Sequence, residues 1–131
     1  MVSSFNISLS GLNAASKRFE VSATNVANQR STATIVDGEK IDRPYAAKRV
    51  EQLSHASGGV ETKVVDKNPP TVTIFDPGSP NADANGSAEV PNVNLDEEAV
   101  NQVIASYDYR ANLKALKTSD DLLRNSLDIE T

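Results

Sequence analysis

Both ends of this chain carry apolar residues on two opposite faces, and a helix that is greasy on two sides expects a neighbour on each. From about Ser4 to Asn28 there is no proline and a single glycine. Apolar residues recur at Phe5, Leu9, Leu12, Phe19, Ala23 and Val26, with Ser16 filling the gap. Alternating steps of four and three are the heptad spacing of a helix packed against another helix. A thinner second stripe of Ile7, Ala14 and Val21 falls on the opposite face.

The C-terminal segment, Leu95 to about Leu127, repeats the pattern more strongly. Asn94 is a good N-cap, and Glu97 stands three residues on, as in a capping box. Asp96, Glu97 and Glu98 put negative charge in the first turn, and Arg110, Lys114, Lys117 and Arg124 follow, an order that suits the helix dipole. Val100, Val103, Ile104, Tyr107, Ala111, Ala115 and Leu122 line one face; Tyr109, Leu113, Leu116, Leu123 and Leu127 lie nearly opposite. At its rise per residue such a helix runs to about 50 Å, longer than a small globule needs. The other terminal helix can cover only one of these stripes. The remaining stripe asks for another subunit, because left bare it invites aggregation.

Between the helices the sequence predicts short strands and turns. Tyr45–Leu53, Val60–Val65 and Thr71–Phe75 are the strand candidates, the last with Val72 and Ile74 alternating with Thr71 and Thr73. Asp37-Gly38, Gly58-Gly59, Pro69-Pro70 and Asp76-Pro77-Gly78-Ser79-Pro80 break them. Residues 76–93, with three prolines, are expected as an extended loop leading into the long helix. The chain thus divides into an N-terminal helix (1–30), a β/loop middle segment (31–93) and a C-terminal helix (94–131). The fold class is α+β, with the terminal helices paired as a coiled-coil-like unit around a small, irregular, β-containing middle.

Composition narrows the function. The chain is 38% apolar but only 5% aromatic and has no tryptophan, so its core is thin unless a companion covers more surface. A net charge of -5 with scattered basic residues argues against nucleic acid, which needs clustered Lys and Arg. With no cysteine, disulfides and thiolate chemistry are excluded. No stretch approaches the ~20 apolar residues of a membrane span. Met1 to Ser16 holds no Lys or Arg, so no cleavable secretory signal is expected.

No active site is legible. His55 is the single histidine and has no acidic or nucleophilic companion in an evident arrangement. Residues 81–86 resemble the front of a calcium loop, but Asn81 and Asn92 stand where that loop needs charged ligands, so a polar turn is expected. The glycines match no phosphate-loop spacing. Asp120-Asp121 are placed to pair with Arg124. No catalytic residue, cofactor or metal is expected.

Two stretches resemble a known family. Ser22-Ala23-Thr24-Asn25-Val26-Ala27-Asn28 resembles the S-x-x-N-x-A-N signature of bacterial flagellar rod and hook proteins. Asn92-Val93-Asn94, then Glu97-Glu98, then Tyr107-Asp108-Tyr109-Arg110-Ala111-Asn112, is similar to the N-V-N…E-E…Y-x-A-N pattern that opens their C-terminal helix. Length, Pro44-Tyr45 and the loop from Asp76-Pro77-Gly78 through Ala82-Asp83 to Gly86 narrow the resemblance to the basal-body rod proteins of the short, proximal-rod C type. Two segments depart from the pattern: Ser87-Ala88 is smaller than usual after Gly86, and Gln29–Asp42 lacks a run rich in threonine and glycine.

The resemblance implies a structural subunit of the flagellar proximal rod, located in the basal body across the periplasmic space. Its terminal helices would polymerise into a hollow drive shaft that transmits torque to the distal rod and hook. It implies as partners other copies of the chain, other rod proteins, the rod–ring junction protein and the type III export apparatus, with export free of signal cleavage. The expected assembly residues are Phe5, Leu9, Leu12, Phe19, Val26, Val100, Ile104, Tyr107, Leu113, Leu116, Leu123 and Leu127. The family motif falls on Asn25, Ala27, Asn28, Asn92, Asn94, Tyr109, Ala111 and Asn112. Ala14, Ala15, Ala23 and Ala27 keep the first helix thin enough for close packing. Asn25 and Asn28 either cap their own helix or bond a neighbour's backbone. The competing reading is a coiled-coil adaptor or secretion chaperone in a discrete heterodimer. A small periplasmic binding or hydrolytic domain would need a signal and a pocket that the sequence does not display.

Overall fold

The computed structural model describes residues 2–36, 39, 40 and 42–128. Among these residues two long helices, α1 (Val2–Asn28) and α2 (Leu95–Asp128), flank six short strands along the sequence. These pair as three separate two-stranded antiparallel units: β1 (Ile35–Val36) with β2 (Glu39–Lys40), β3 (Lys48–Ser54) with β4 (Val60–Asp66), and β5 (Thr71–Phe75) with β6 (Ser87–Pro91). The expected α+β arrangement is therefore present. The Asp37-Gly38 turn lies outside the described residues.

The helices run antiparallel, since Ser22 meets Glu98 at one end and Phe5 shares a hollow with Leu116 toward the other. α1 is the middle layer, with α2 on one side and the β3–β4 hairpin on another. The sequence pattern explains both contacts. The thin stripe of Ile7, Ala14 and Val21 is the one that receives the hairpin: Ala14 and Val21 are buried, and Ile7 reaches the Gly58-Gly59 turn. That turn needs its glycines, because both have positive φ. A side chain on Gly59 would also meet Ser10 Oγ at 2.6 Å, the oxygen that accepts the Val60 N–H at 3.1 Å.

Against α2, α1 presents mostly small or polar residues. Ser8, Ala15, Ser22 and Asn25 are buried with Leu12, and Ala105 and Glu98 are buried on α2. Apolar periodicity thus points beside this contact and not into it: of the heptad stripe, Leu12 enters the core while Phe5, Leu9 and Phe19 stay exposed at its rim.

Two expectations need correction. Residues 76–93 are not one extended loop, since β6 spans Ser87–Pro91 and pairs residue for residue with β5. Its small Ala88 is buried, which suits the departure from the family pattern at that position. The capping box at α2 is half formed. Asn94 Oδ1 accepts the N–H groups of Asp96 and Glu97, at 2.9 and 3.2 Å, whereas the Glu97 carboxylate pairs with Lys67 Nζ at 3.1 Å. The ammonium offers it a stronger, charge-assisted bond than a backbone N–H.

The bases of the two larger hairpins are fastened together. Pro70 O accepts the N–H groups of Ala47 and Asn92, and Ala47 O accepts that of Lys67. Asn92 Nδ2 adds a bond to Pro69 O at 2.9 Å. The start of α2 is thereby fixed on the hairpin base, just where the end of α1 arrives.

Candidate assembly surface

Asn25 marks that arrival. It is 1% exposed and uses its whole hydrogen-bonding capacity. Nδ2 donates to Lys48 O and to Glu98 Oε1, both at 2.8 Å; Oδ1 accepts from Tyr45 Oη and from Lys48 N, both at 3.0 Å. One amide joins α1, the head of β3 and the first turn of α2. Glu98, 2% exposed, lies 4.0 Å from Lys67 Nζ, while its backbone carbonyl accepts Ser22 Oγ at 3.0 Å. Burial pushes the Tyr45 phenol above its ordinary pKa, a rise that Lys48 opposes and Glu98 and Asp66 reinforce. The hydrogen bond to Asp66 raises Lys48.

Of the two sequence readings of the motif asparagines, the structure thus gives Asn25 partners within its own chain. Asn28 Nδ2 donates to Thr24 O one turn back, at 2.8 Å, and Asn112 Nδ2 does the same to Asp108 O. Asn94 is the N-cap of α2, and Asn92 secures the hairpin base. Ala27 and Ala111 are exposed, and Tyr109 stands at the edge of the helix pair.

The apolar candidates separate by place. Leu12 is buried within the chain, a difference from its expected position in a partner-facing stripe; Val26, Leu116 and Leu123 are half-buried. Phe5, Leu9, Phe19, Val100, Ile104, Tyr107, Leu113 and Leu127 are exposed. On α2, α1 partly covers the face of Tyr109, Leu113 and Leu116. The opposite face, carrying Val100, Val103, Ile104 and Tyr107, is bare along its length, with Tyr107 67% exposed. Two apolar hollows open along the helix seam. Phe5, Leu113 and Leu116 line one of about 630 Å³, rimmed by Arg110, Lys114 and Lys117. Phe19, Ala105 and Tyr109 line the other, of about 370 Å³. A surface of this kind is suited to association, which covers greasy area.

The remaining polar candidates occupy ordinary positions. His55 lies at the exposed hairpin turn, 3.5 Å from Glu61. Residues 81–86 form a polar turn in which Asp83 Oδ1 accepts the N–H groups of Asn85 and Ser87. Asp120 pairs with Arg124 at 3.0 Å.

Comparison with known proteins shows the family. Residues 84–129 match the family model described as flagellar basal body rod FlgEFG protein C-terminal. Over 129 residues the chain is 40% identical to the flagellar basal-body rod protein FlgC of Yersinia enterocolitica, covering 94% of this chain and 92% of that one. It is 39% identical to FlgC of Salmonella typhimurium over the same shares. It is also 35% identical to FlgC of Agrobacterium fabrum, over 92% of this chain and 88% of the relative. The chain belongs to the FlgC family of flagellar basal-body rod proteins. The match covers 94% of the chain, so it takes in both helices and the middle segment. Among the described residues no helix is long and apolar enough to cross a membrane.

The sequence reading missed Tyr45, Lys48 and Lys67 as members of the joint. Asn25, Tyr45 and Glu98 all fall in stretches that carry the resemblance, but nothing in those stretches says that the three meet, since they lie 20 or more residues apart.

Proposed function

We propose that this chain is a structural subunit of the flagellar rod and not an enzyme, built into the shaft by packing its helix pair against other copies and other rod proteins. The bare, apolar outer face of α2, in a chain related along nearly its whole length to rod proteins, carries this reading. Burying a large apolar side chain contributes roughly 1.5–3 kcal/mol, so a row such as Val100, Val103, Ile104 and Tyr107 supplies a strong drive to associate. A tube of such helices resists torsion through many simultaneous contacts, as torque transmission requires. The position proposed is the rod where it crosses the periplasm, reached through the type III export apparatus without signal cleavage and adjoining the rod–ring junction protein.

The discrete-heterodimer reading is not favoured, because the relatives are rod proteins and greasy surface lies on more than one side of the helix pair. The test is complementation in a motile bacterium deleted for its own FlgC. The chain should restore basal bodies and swimming, whereas Tyr107→Asp should be exported yet absent from purified basal bodies. Normal swimming with Tyr107→Asp, or a stable one-to-one complex with a soluble companion, would refute the proposal.

A further inference from the structure

We infer that Asn25 is the register key of the helix pair, the residue that fixes how far α1 slides along α2. The start of α2 and the base of β3–β4 are joined to each other without α1, through Lys67 to Glu97 and through Pro70 O, which accepts from both Asn92 and Ala47. The axial position of α1 is set by its own contacts: Ser10 accepts the Val60 N–H on the hairpin, Ser22 donates to Glu98 O on α2, and Asn25 is the residue that grips both bodies, through Lys48 on the hairpin and Glu98 on α2.

Packing alone discriminates poorly. Glu98, Ala105, Asn112 and Ser119 are seven residues apart and share one face of α2, so a slip of one heptad sets small or polar residues against small or polar residues again, with no large apolar side chain to forbid it. Apolar burial even favours that slip. With Phe5 beside Leu116, α2 continues past the start of α1 for about 13 Å. Leu123 and Leu127 lie on this overhang, toward the side of α2 that faces α1, and a slipped α1 would cover them. The slip is opposed at the other end, where Asn25 would be set against Ala105 with its amide stranded. Two other polar contacts cross the pair: Ser22 Oγ to Glu98 O, whose acceptor is a helix carbonyl of a kind that every turn of α2 repeats, and Arg18–Asp108, whose part-buried side chains both reach solvent, and such pairs discriminate weakly. A buried polar side chain that fixes register is a recognised device in paired helices.

The register matters for assembly because it sets Phe19 beside Tyr109 and Phe5 beside Leu113, building both apolar hollows. That consequence rests on the proposed rod function; the register itself does not, and is measured on the free chain. The chain has no cysteine, so an engineered thiol pair reports alone. In full-length protein, Phe5→Cys with Leu116→Cys reads the native register, and Phe5→Cys with Leu123→Cys reads the slip, each treated with a short bifunctional thiol reagent.

In the native background the first pair should cross-link at least about tenfold faster than the second, the order expected from stranding one buried amide. Asn25→Leu with Glu98→Met, an apolar replacement of the joint, should keep the helical circular dichroism yet bring the two rates within about threefold. An unchanged rate ratio in this folded variant overturns the inference. Should the variant lose helix, a second arm decides. Asn25→Asp alone sets carboxylate against carboxylate and should lose native-register selectivity, and adding Glu98→Gln, which supplies a donor, should restore it. Selectivity retained by Asn25→Asp, or not restored by Glu98→Gln, overturns the inference equally. Failure in these assays leaves the rod reading standing, whereas failed complementation with intact register selectivity removes the rod reading alone.

Discussion

Gly11 of α1 lies against the side chain of Asn112 on α2 so closely that a Cβ on residue 11 would overlap the carboxamide, including its Cγ. Asn112 cannot swing aside freely, because Nδ2 is bonded to Asp108 O at 2.8 Å. Replacing an interior helical glycine by alanine ordinarily gains about 0.8–1.0 kcal/mol, while overpacking costs about 1–3 kcal/mol. Gly11→Ala is therefore expected to be net destabilising, by about 1 kcal/mol. Urea denaturation checks this, and Asn112→Ala in the same chain should reverse the sign by freeing the space. A stabilised Gly11→Ala with Asn112 intact would show that the helices do not approach this closely.

Leu12 and Leu113 differ in what covers them, so their substitutions should divide stability from assembly. Leu12 is buried in the chain, and truncation to alanine should cost about 2–5 kcal/mol, toward the lower end because its surroundings are small. Leu113 is 48% exposed, so Leu113→Asp should shift the melting free energy of the free chain by only about 0.5 kcal/mol while preventing incorporation into basal bodies. Thermal melts and basal-body immunoblots measure the two effects. A large melting shift in Leu113→Asp would place that residue in the chain's own core.

Much of this architecture is legible in the sequence because helix signals are local. Asn94, the acidic first turn and the long proline-free periodic run fix the start of α2. Three strands follow from alternation and flanking glycine or proline. β6 is hard to see because Ser-Ala-Glu-Val-Pro is a short alternation with one strong β-former, Val90, closed by a proline and preceded by loop residues, and its pairing with β5 completes it. The helix contact was harder to find for the opposite reason. Its residues are small or polar, so apolar periodicity marks the surface beside it. The Asn25 joint is assembled from remote segments, and a motif letter alone does not say which backbone an asparagine will meet.

Alkaline lability should follow from the joint. Tyr45 and Lys48 both have folded-state pKa values raised above their ordinary values of 10.0 and 10.5, the first chiefly by burial and the second by its hydrogen bond to Asp66. A raised folded pKa means that the native state holds the proton more firmly than the unfolded chain does. Each group's contribution is therefore complete below its unfolded pKa and disappears as pH rises through the folded value. Denaturation midpoints should hold from neutral pH to about 9 and fall above about 10. Tyr45→Phe should flatten that fall while costing roughly 1 kcal/mol at neutral pH for the lost hydrogen bond to Asn25. An alkaline slope unaltered in Tyr45→Phe would remove Tyr45 from the explanation.

Hydrogen exchange should reveal where the free chain is held. Around Ser22, Asn25, Glu98 and Ala105 the helices are buried and bonded both to each other and to the hairpin base, so opening there requires breaking the joint. The last turns of α2 extend past the start of α1 and keep Leu122 and Leu127 exposed, so little beyond their own backbone bonds protects them. Amide protection in dilute protein should be greatest across residues 20–25 and 98–106 and weakest from about residue 120 onward. Incorporation into an assembly should raise protection most in that last stretch and along Val100 to Tyr107, where greasy surface gains cover. Equal protection along all of α2 in the dilute chain would mean that the overhang already has company, and would count against an assembly surface that stays open until subunits meet.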